Sequence, residues 1–279
     1  MIGLVTDSSS QMPPGLVERL GVEVVPLTVT VDGVAYAEGV DLDADGFWAF
    51  FAGAVPEVAT SQPSPGRFAE AYAAVAGRGA EEILSVHIGS AMSGTVNSAR
   101  VAAASAPVPV HIVDTATASF AVACCVWEAA EALAAGVPPA DAAAVAEAVG
   151  SAIGSVFVVK ALDLARAGGR LATGAAAAAI PVLTLVGGAM EVVGQVDDPD
   201  EAAAVMAAHV QAAGSSLRVG VGAADAATFP LAQALENRLA SAPEVLDVVR
   251  YRVGPSVGAH TGPGTVGAVY YALPSVSPE

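Results

Sequence analysis

Short runs rich in β-branched residues alternate with helix-length, alanine-rich stretches along most of this chain, and that rhythm restricts the available folds more than any other feature. Ile2–Thr6, Glu23–Val31, Glu82–Ile88, Pro109–Val113, Val156–Val159, Val182–Val186, Arg218–Gly222 and Leu246–Val253 read as strands. Pro65–Ala76, Thr95–Ala104, Ala118–Ala135, Pro139–Ala148, Asp200–Ala212 and Ala227–Leu239 carry the apolar spacing of helices packed on a sheet. Alternation of this kind predicts an α/β protein with parallel sheets. Asp32-Gly33, set between Thr28–Val31 and Val34–Tyr36, has the chemistry of a tight hairpin turn. Thr184–Val186 can turn back in the same way through Gly187-Gly188 into Met190–Val193.

A length of 279 residues suits two domains of ordinary size. The rhythm pauses after Val156–Val159, and Gly168-Gly169-Arg170 soon follows as a turn, so the expected boundary lies near Lys160, with domains at 1–160 and 161–279. A crevice between two such domains is a natural ligand site.

Hydrophobic residues make up 54% of the chain, and the mean hydropathy is +0.60, which raises the question of a membrane. The longest uncharged stretches, 171–190 and 253–278, are interrupted by prolines and glycines and do not read as spanning helices. The first residues meet Asp7 after a short apolar run with no basic segment, unlike a signal peptide. A cytoplasmic protein without an integral membrane segment is expected. Only 11 basic residues face 28 acidic ones, a net charge of −17, and no basic run exists to displace counterions from a phosphate backbone. Nucleic-acid binding is therefore set aside, and anionic lipid surfaces are disfavoured. Cys124 and Cys125 are adjacent within a helical pattern, where a bridge would be strained, and read as buried free thiols.

Four polar segments stand out from this background: Thr6–Ser10, Thr60–Ser64, Ser90–Thr95 and Gly258–Gly264. Each follows a strand or opens a helix. In an open parallel sheet, loops at the carboxyl ends of strands converge on one rim, where hydroxyls and helix N–H groups can hold an anion. Ser93-Gly94-Thr95 fits that role well, although serine and threonine also serve as plain helix caps. A Ser/His/Asp hydrolase could draw on Ser93, His260 and Asp7 or Asp114. Ala91-Met92-Ser93 lacks the glycine two places before serine that a nucleophile elbow needs, but a triad is defined by geometry. Gly262, Gly264 and Gly267 match a dinucleotide fingerprint only by spacing, since a strand rather than a helix is expected to follow. The histidines at 87, 111, 209 and 260 are dispersed, so no metal site is expected. His87 and His111 sit in strand patterns and read as structural, whereas His260 stands among glycines in an expected loop and can donate to an anion. Arg170 offers a fork for a carboxylate or phosphate, or an ion pair across the boundary.

Taken in order, Thr6–Ser10, Val25-Pro26-Leu27, Gly39-Val40-Asp41, Thr60–Ser64, Ser93-Gly94-Thr95 with Ser98-Ala99, Val113-Asp114, Gly168-Gly169-Arg170 and Gly258–Gly264 resemble the DegV family of bacterial fatty-acid-binding proteins over nearly the whole chain. The resemblance implies a two-domain α/β fold, with a parallel-sheet N-terminal domain and an α/β C-terminal domain. It also implies a long-chain fatty acid buried in a tunnel, its carboxylate held at the domain junction. Carried over as carboxylate contacts are Thr60, Ser61, Ser93, the N–H of Gly94, His260 and Arg170. The family implies a non-catalytic carrier without further cofactor, which presents the acid to a partner such as a fatty acid kinase. The chain departs from the family where basic residues are usual: Ile180 precedes Pro181, and Asp197-Asp198 follows the later glycine-initiated strand. Two other readings are a serine hydrolase using Ser93 and His260, and a carrier of another acyl amphiphile.

Overall fold

The computed structural model describes residues 1–159 and 180–273. Its contacts divide the chain into two compact units, Met1–Ser151 with Gly254–Ala259, and Ala152–Val253 with His260–Glu279. The boundary expected at residue 160 falls at the start of the undescribed stretch and is kept as a working division.

In the first unit, β1 (Ile2–Asp7), β2 (Val22–Val25), β6 (Glu82–His87) and β7 (Val110–Asp114) form a sheet in the order β2-β1-β6-β7. Every pairing in it is parallel. Helices α3 (Pro65–Gly77) and α4 (Thr95–Ala103) pack on one another and on these strands. Strand residues alternate between faces, so Val5 and Ile83 join Phe68, Tyr72, Val75 and Ala99 in a core on that side. Leu4, Leu84 and Val86 are buried on the opposite face, and α5 (Phe120–Ala134) packs on β1 and β6. Cys124 and Cys125 are buried in α5, and neither is in a disulfide.

A smaller antiparallel sheet, β4-β3-β5, is inserted between β2 and α3. It consists of β3 (Thr28–Val31), β4 (Val34–Ala37) and β5 (Val58–Ser61). The β3–β4 turn places Asp32 at φ 48° and Gly33 at φ 83°, the left-handed pair that a two-residue hairpin needs. The run Glu23–Val31 is not one strand. Pro26 has no N–H to give a ladder, so β2 ends at Val25 and the chain leaves for the smaller sheet. Helices α1 (Pro14–Leu20), α2 (Ala44–Ala49) and α6 (Pro139–Ala152) complete the elements before the second unit.

The second unit contains β8 (Gly154–Val158), β9 (Ile180–Val186), β10 (Ala189–Val196), α7 (Pro199–Gln211), β11 (Leu217–Ala223), α8 (Phe229–Ala240), β12 (Val245–Arg252) and β13 (Val266–Ala272). Its sheet runs β10-β9-β8-β13-β11-β12. Among the described residues only β11 and β12 pair in parallel, so the sheet of this unit is mixed, and β9 and β10 form the turn-back expected through Gly187-Gly188. The tight Gly187-Gly188 turn can join its strands only antiparallel. Met206, Val219, Leu235 and Leu239 lie in the core against the sheet. A last helix, α9 (Pro255–Thr261), replaces the loop expected around His260, and its first residues count with the first unit. No helix among the described residues is long and apolar enough to cross a membrane.

Candidate functional site

The order β2-β1-β6-β7 has one reversal. From β1 the chain steps to β2 on one side, and β6 then lies on the other side of β1. Open α/β sheets bind ligands beyond the carboxyl ends of the strands at such a point. The two loops flanking it here are the 3₁₀ turn Ser8–Ser10 after β1 and the segment 88–94 after β6.

Asp7 cross-links both loops from beneath. Its Oδ1 accepts the N–H of Ser9 at 3.1 Å and also the Ser9 hydroxyl; its Oδ2 accepts His87 Nδ1 at 2.9 Å and the Ile88 N–H at 3.2 Å. His87 Nε2 lies 2.6 Å from Ser85 Oγ, which lies 2.9 Å from the Tyr72 hydroxyl. Donation in the order Tyr72, Ser85, His87, Asp7 satisfies each atom along the line. Burial pushes the Tyr72 hydroxyl up to about 12, consistent with a neutral donor. The carbonyl of His87 accepts the Thr115 hydroxyl at 2.8 Å, which ties in the loop after β7 as well.

A Ser–His–Asp alignment therefore exists, but it is built from Ser85, His87 and Asp7, all fully buried. It fixes the rim from within the sheet. The two acids weighed for a triad with Ser93 and His260 are engaged elsewhere: Asp7 as above, and Asp114 by the N–H groups of Ser90 at 3.0 Å and Ala116 at 3.2 Å. Burial pushes the Asp114 carboxyl up, but those donors and the Arg100 charge outweigh it and hold the group below its ordinary value.

Ser93 is half-buried on the rim, two residues before the start of α4. Its Oγ lies 2.8 Å from the Thr95 hydroxyl and accepts the Thr95 N–H at 3.3 Å. Gly94 is the residue before the helix, and its role is one of close approach. A Cβ there would stand 2.7 Å from Nε2 and 2.9 Å from Cδ of Gln62. The side chain of Gln62 thus lies against the Ser93-Gly94 turn, which brings together two of the polar segments picked out in the sequence. Thr60 and Ser61 are the last residues of β5, paired with Val29 and Thr28, rather than loop residues. Ser64 is a helix cap, its Oγ accepting the Arg67 N–H at 3.3 Å. Neutral hydroxyls gathered with the start of a helix are suited to an anionic oxygen.

His260 occupies the last turn of α9 and is exposed. Arg170 lies outside the described residues. His111 pairs with Glu82 at 2.7 Å, in keeping with a structural role. Among the described residues no group of three or more His, Cys, Asp or Glu side chains is placed to hold a metal.

Sequence reasoning does not single out Glu38 or Gln11, and it names Gly258 only as the start of a polar segment. Glu38 is buried, with Oε2 accepting the Ser8 hydroxyl at 2.5 Å and Oε1 accepting the Ser256 N–H at 2.8 Å. Gln11 Oε1 accepts the N–H of Gly254 at 3.0 Å. An acid one residue before Gly39-Val40-Asp41 is what the sequence offers, and its burial is not visible there.

Residues 1–273 match the family model described as an uncharacterised protein of the DegV family. The chain belongs to the DegV family. A DegV domain-containing protein of Streptomyces coelicolor is 35% identical over 274 residues, covering 96% of this chain and 97% of that one. Among solved structures, a DegV family protein of Thermus thermophilus described as binding fatty acid is 33% identical, with a TM-score of 0.83 over 98% of this chain and 99% of that one. A DegV lipid-binding protein of Thermotoga maritima is 27% identical, with a TM-score of 0.83 over 98% of both chains. DegV structures thus share both the parallel-sheet first unit and the mixed second sheet.

Proposed function

We propose that this DegV protein binds a long-chain fatty acid without covalent attachment. The carboxylate is held by Ser93, the N–H of Gly94, Thr60 and Ser61, with His260 and Arg170 as further contacts. The reading is carried by the likeness, over 98% of the chain, to the Thermus thermophilus protein described as binding fatty acid. The rim geometry supports it, since Ser93 and the Gln62 segment meet at the reversal point of the sheet.

The energetics divide the work between tail and head. Burying each methylene contributes about 0.8 kcal/mol, so a chain of roughly 14 contributes on the order of 11 kcal/mol before ordering costs. Each hydrogen bond to the charged head adds about 1.5–3 kcal/mol. The tail sets affinity and the hydroxyl cluster sets orientation. A net charge of −17 gives no long-range attraction for a carboxylate, so close donors must hold it, the neutral hydroxyls together with His260 or Arg170.

The carrier role extends, in this proposal, to presenting the acid to a partner such as a fatty acid kinase. Family resemblance supports that step. Ile180 and Asp197-Asp198, in place of basic residues, call for a partner that does not depend on positive charge there. Solvent extraction and mass spectrometry of the purified protein test the central claim. A stoichiometric fatty acid is expected; an empty protein that turns over acyl esters would overturn it.

A further inference from the structure

Helix α9 carries His260 in its last turn, and its first turns are clamped by groups from far earlier in the chain. One jaw is polar. Glu38, 6% exposed, accepts the Ser256 N–H through Oε1, and Gln11 accepts the N–H of Gly254, 243 residues away in sequence. The fit leaves no slack, since a Cβ on Gly254 would stand 3.1 Å from Glu38 Oε1 and 3.3 Å from Gln11 Nε2. The other jaw is aromatic. At Gly258 a Cβ would stand 2.7 Å from Trp48 Cζ2 and 2.8 Å from Phe47 Cε1, so the helix backbone rests directly on those two rings. Phe47 and Trp48 pack edge to face at 4.9 Å between centroids and present one fixed surface.

The Glu38 carboxylate is itself held in place. Ser8 donates to its Oε2, and the same Ser8 oxygen accepts the Leu27 N–H at 2.9 Å. The Glu38 N–H is bonded to the Leu27 carbonyl at 3.0 Å. No positively charged side chain pairs with Glu38 among the described residues. Burying an acid without a cation is costly, and the donors from Ser8 and Ser256 offset part of that cost while tying Glu38 to the start of α9.

We propose that Glu38 is a positioning residue that sets the seat of α9 and, through the helix, the placement of His260 toward a bound carboxylate. This rests on the reading of His260 as a carboxylate contact, and the test separates the two.

Binding of palmitate and of hexadecan-1-ol, which share a tail and differ in the head, is measured on the full chain. The readout is the ratio of the two affinities. Glu38→Ala is expected to lower the palmitate-to-alcohol ratio about tenfold, with Glu38→Gln regaining most of it because the amide oxygen still accepts the Ser256 N–H. If Glu38→Ala does not fold, Glu38→Leu fills the space without an acceptor and is expected to give the same loss. Equal weakening of acid and alcohol would mean a merely structural role and would overturn the proposal. In a His260→Ala background, removal of Glu38 is expected to lower the ratio no further. A ratio that falls in His260→Ala but not in the Glu38 variants defeats the positioning role alone. A ratio unmoved by His260→Ala defeats the reading of His260 and the proposal with it.

Discussion

The Glu38 carboxylate accepts the N–H of Ser256 at 2.8 Å across 218 residues of sequence. Burial, outweighing the donors from Ser8 and Ser256, holds this carboxyl above its ordinary value of 4.5. The native state therefore binds the Glu38 proton more tightly than the unfolded chain does. Glu38 contributes most to stability below 4.5, and that contribution is lost as pH rises through the folded-state value. Glu38→Gln, which does not titrate, should gain stability relative to wild type as pH rises from about 4.5 to 7.5. Thermal unfolding of both proteins across that range checks the trend, and a constant gap would refute it.

Ser93→Ala should fold normally and release bound fatty acid more readily, losing about tenfold in affinity. Retention after extensive dialysis, read by mass spectrometry, is the measurement. Unchanged retention would remove Ser93 from the carboxylate site.

Gly94→Ala places a methyl 2.7 Å from Nε2 of Gln62, a separation at which the side chain and the turn push apart. The protein should fold but bind palmitate several-fold more weakly, because the turn carrying Ser93 shifts. Adding Gln62→Ala should restore much of the binding. If the second substitution has no effect, the contact between the two segments is not what fixes the turn.

Asp7→Ala leaves His87 Nδ1 and the N–H groups of Ser9 and Ile88 without their acceptor. Buried donors left in this way typically cost about 1–3 kcal/mol each, so a loss of about 3–5 kcal/mol is expected in urea unfolding followed at the first unit. A loss below about 1 kcal/mol would show that the rim does not depend on this carboxylate.

Burial pushes the Cys125 thiol up to about 12. The native protein should therefore leave Cys125 unmodified by iodoacetamide at pH 8, while the denatured chain reacts. Peptide mass mapping before and after denaturation decides it.

The α/β rhythm was legible because local spacing alone separates strand from helix, and both hairpin turns were legible because two-residue turns need particular residues at positive φ. Thr60 and Ser61 were visible as a polar segment, but their place at the end of β5 depends on pairing with Val29 and Thr28. The helix around His260 was not legible. Gly254, Gly258 and Gly262 argue locally for a loop, and the helix exists because Gly258 lets the backbone lie on Phe47 and Trp48, more than 200 positions earlier. His87 read correctly as a strand residue, yet nothing near it in sequence names Asp7 as its partner. Glu38 escaped for the same reason: its burial comes from Ser8 and Ser256, neither of them a neighbour.

The return of Gly254–Ala259 to the first unit has a consequence for biosynthesis. A ribosome delivers the N-terminal sheet early, and domains usually fold as they emerge. Here the surface made by Phe47, Trp48 and Glu38 waits uncovered until residues 254–259, more than 200 positions later, have been translated. A fragment stopping at Ser151 would lack its own cover, so residues 1–151 are not a module that can be cut out and expected to behave as they do with residues 254–259 present.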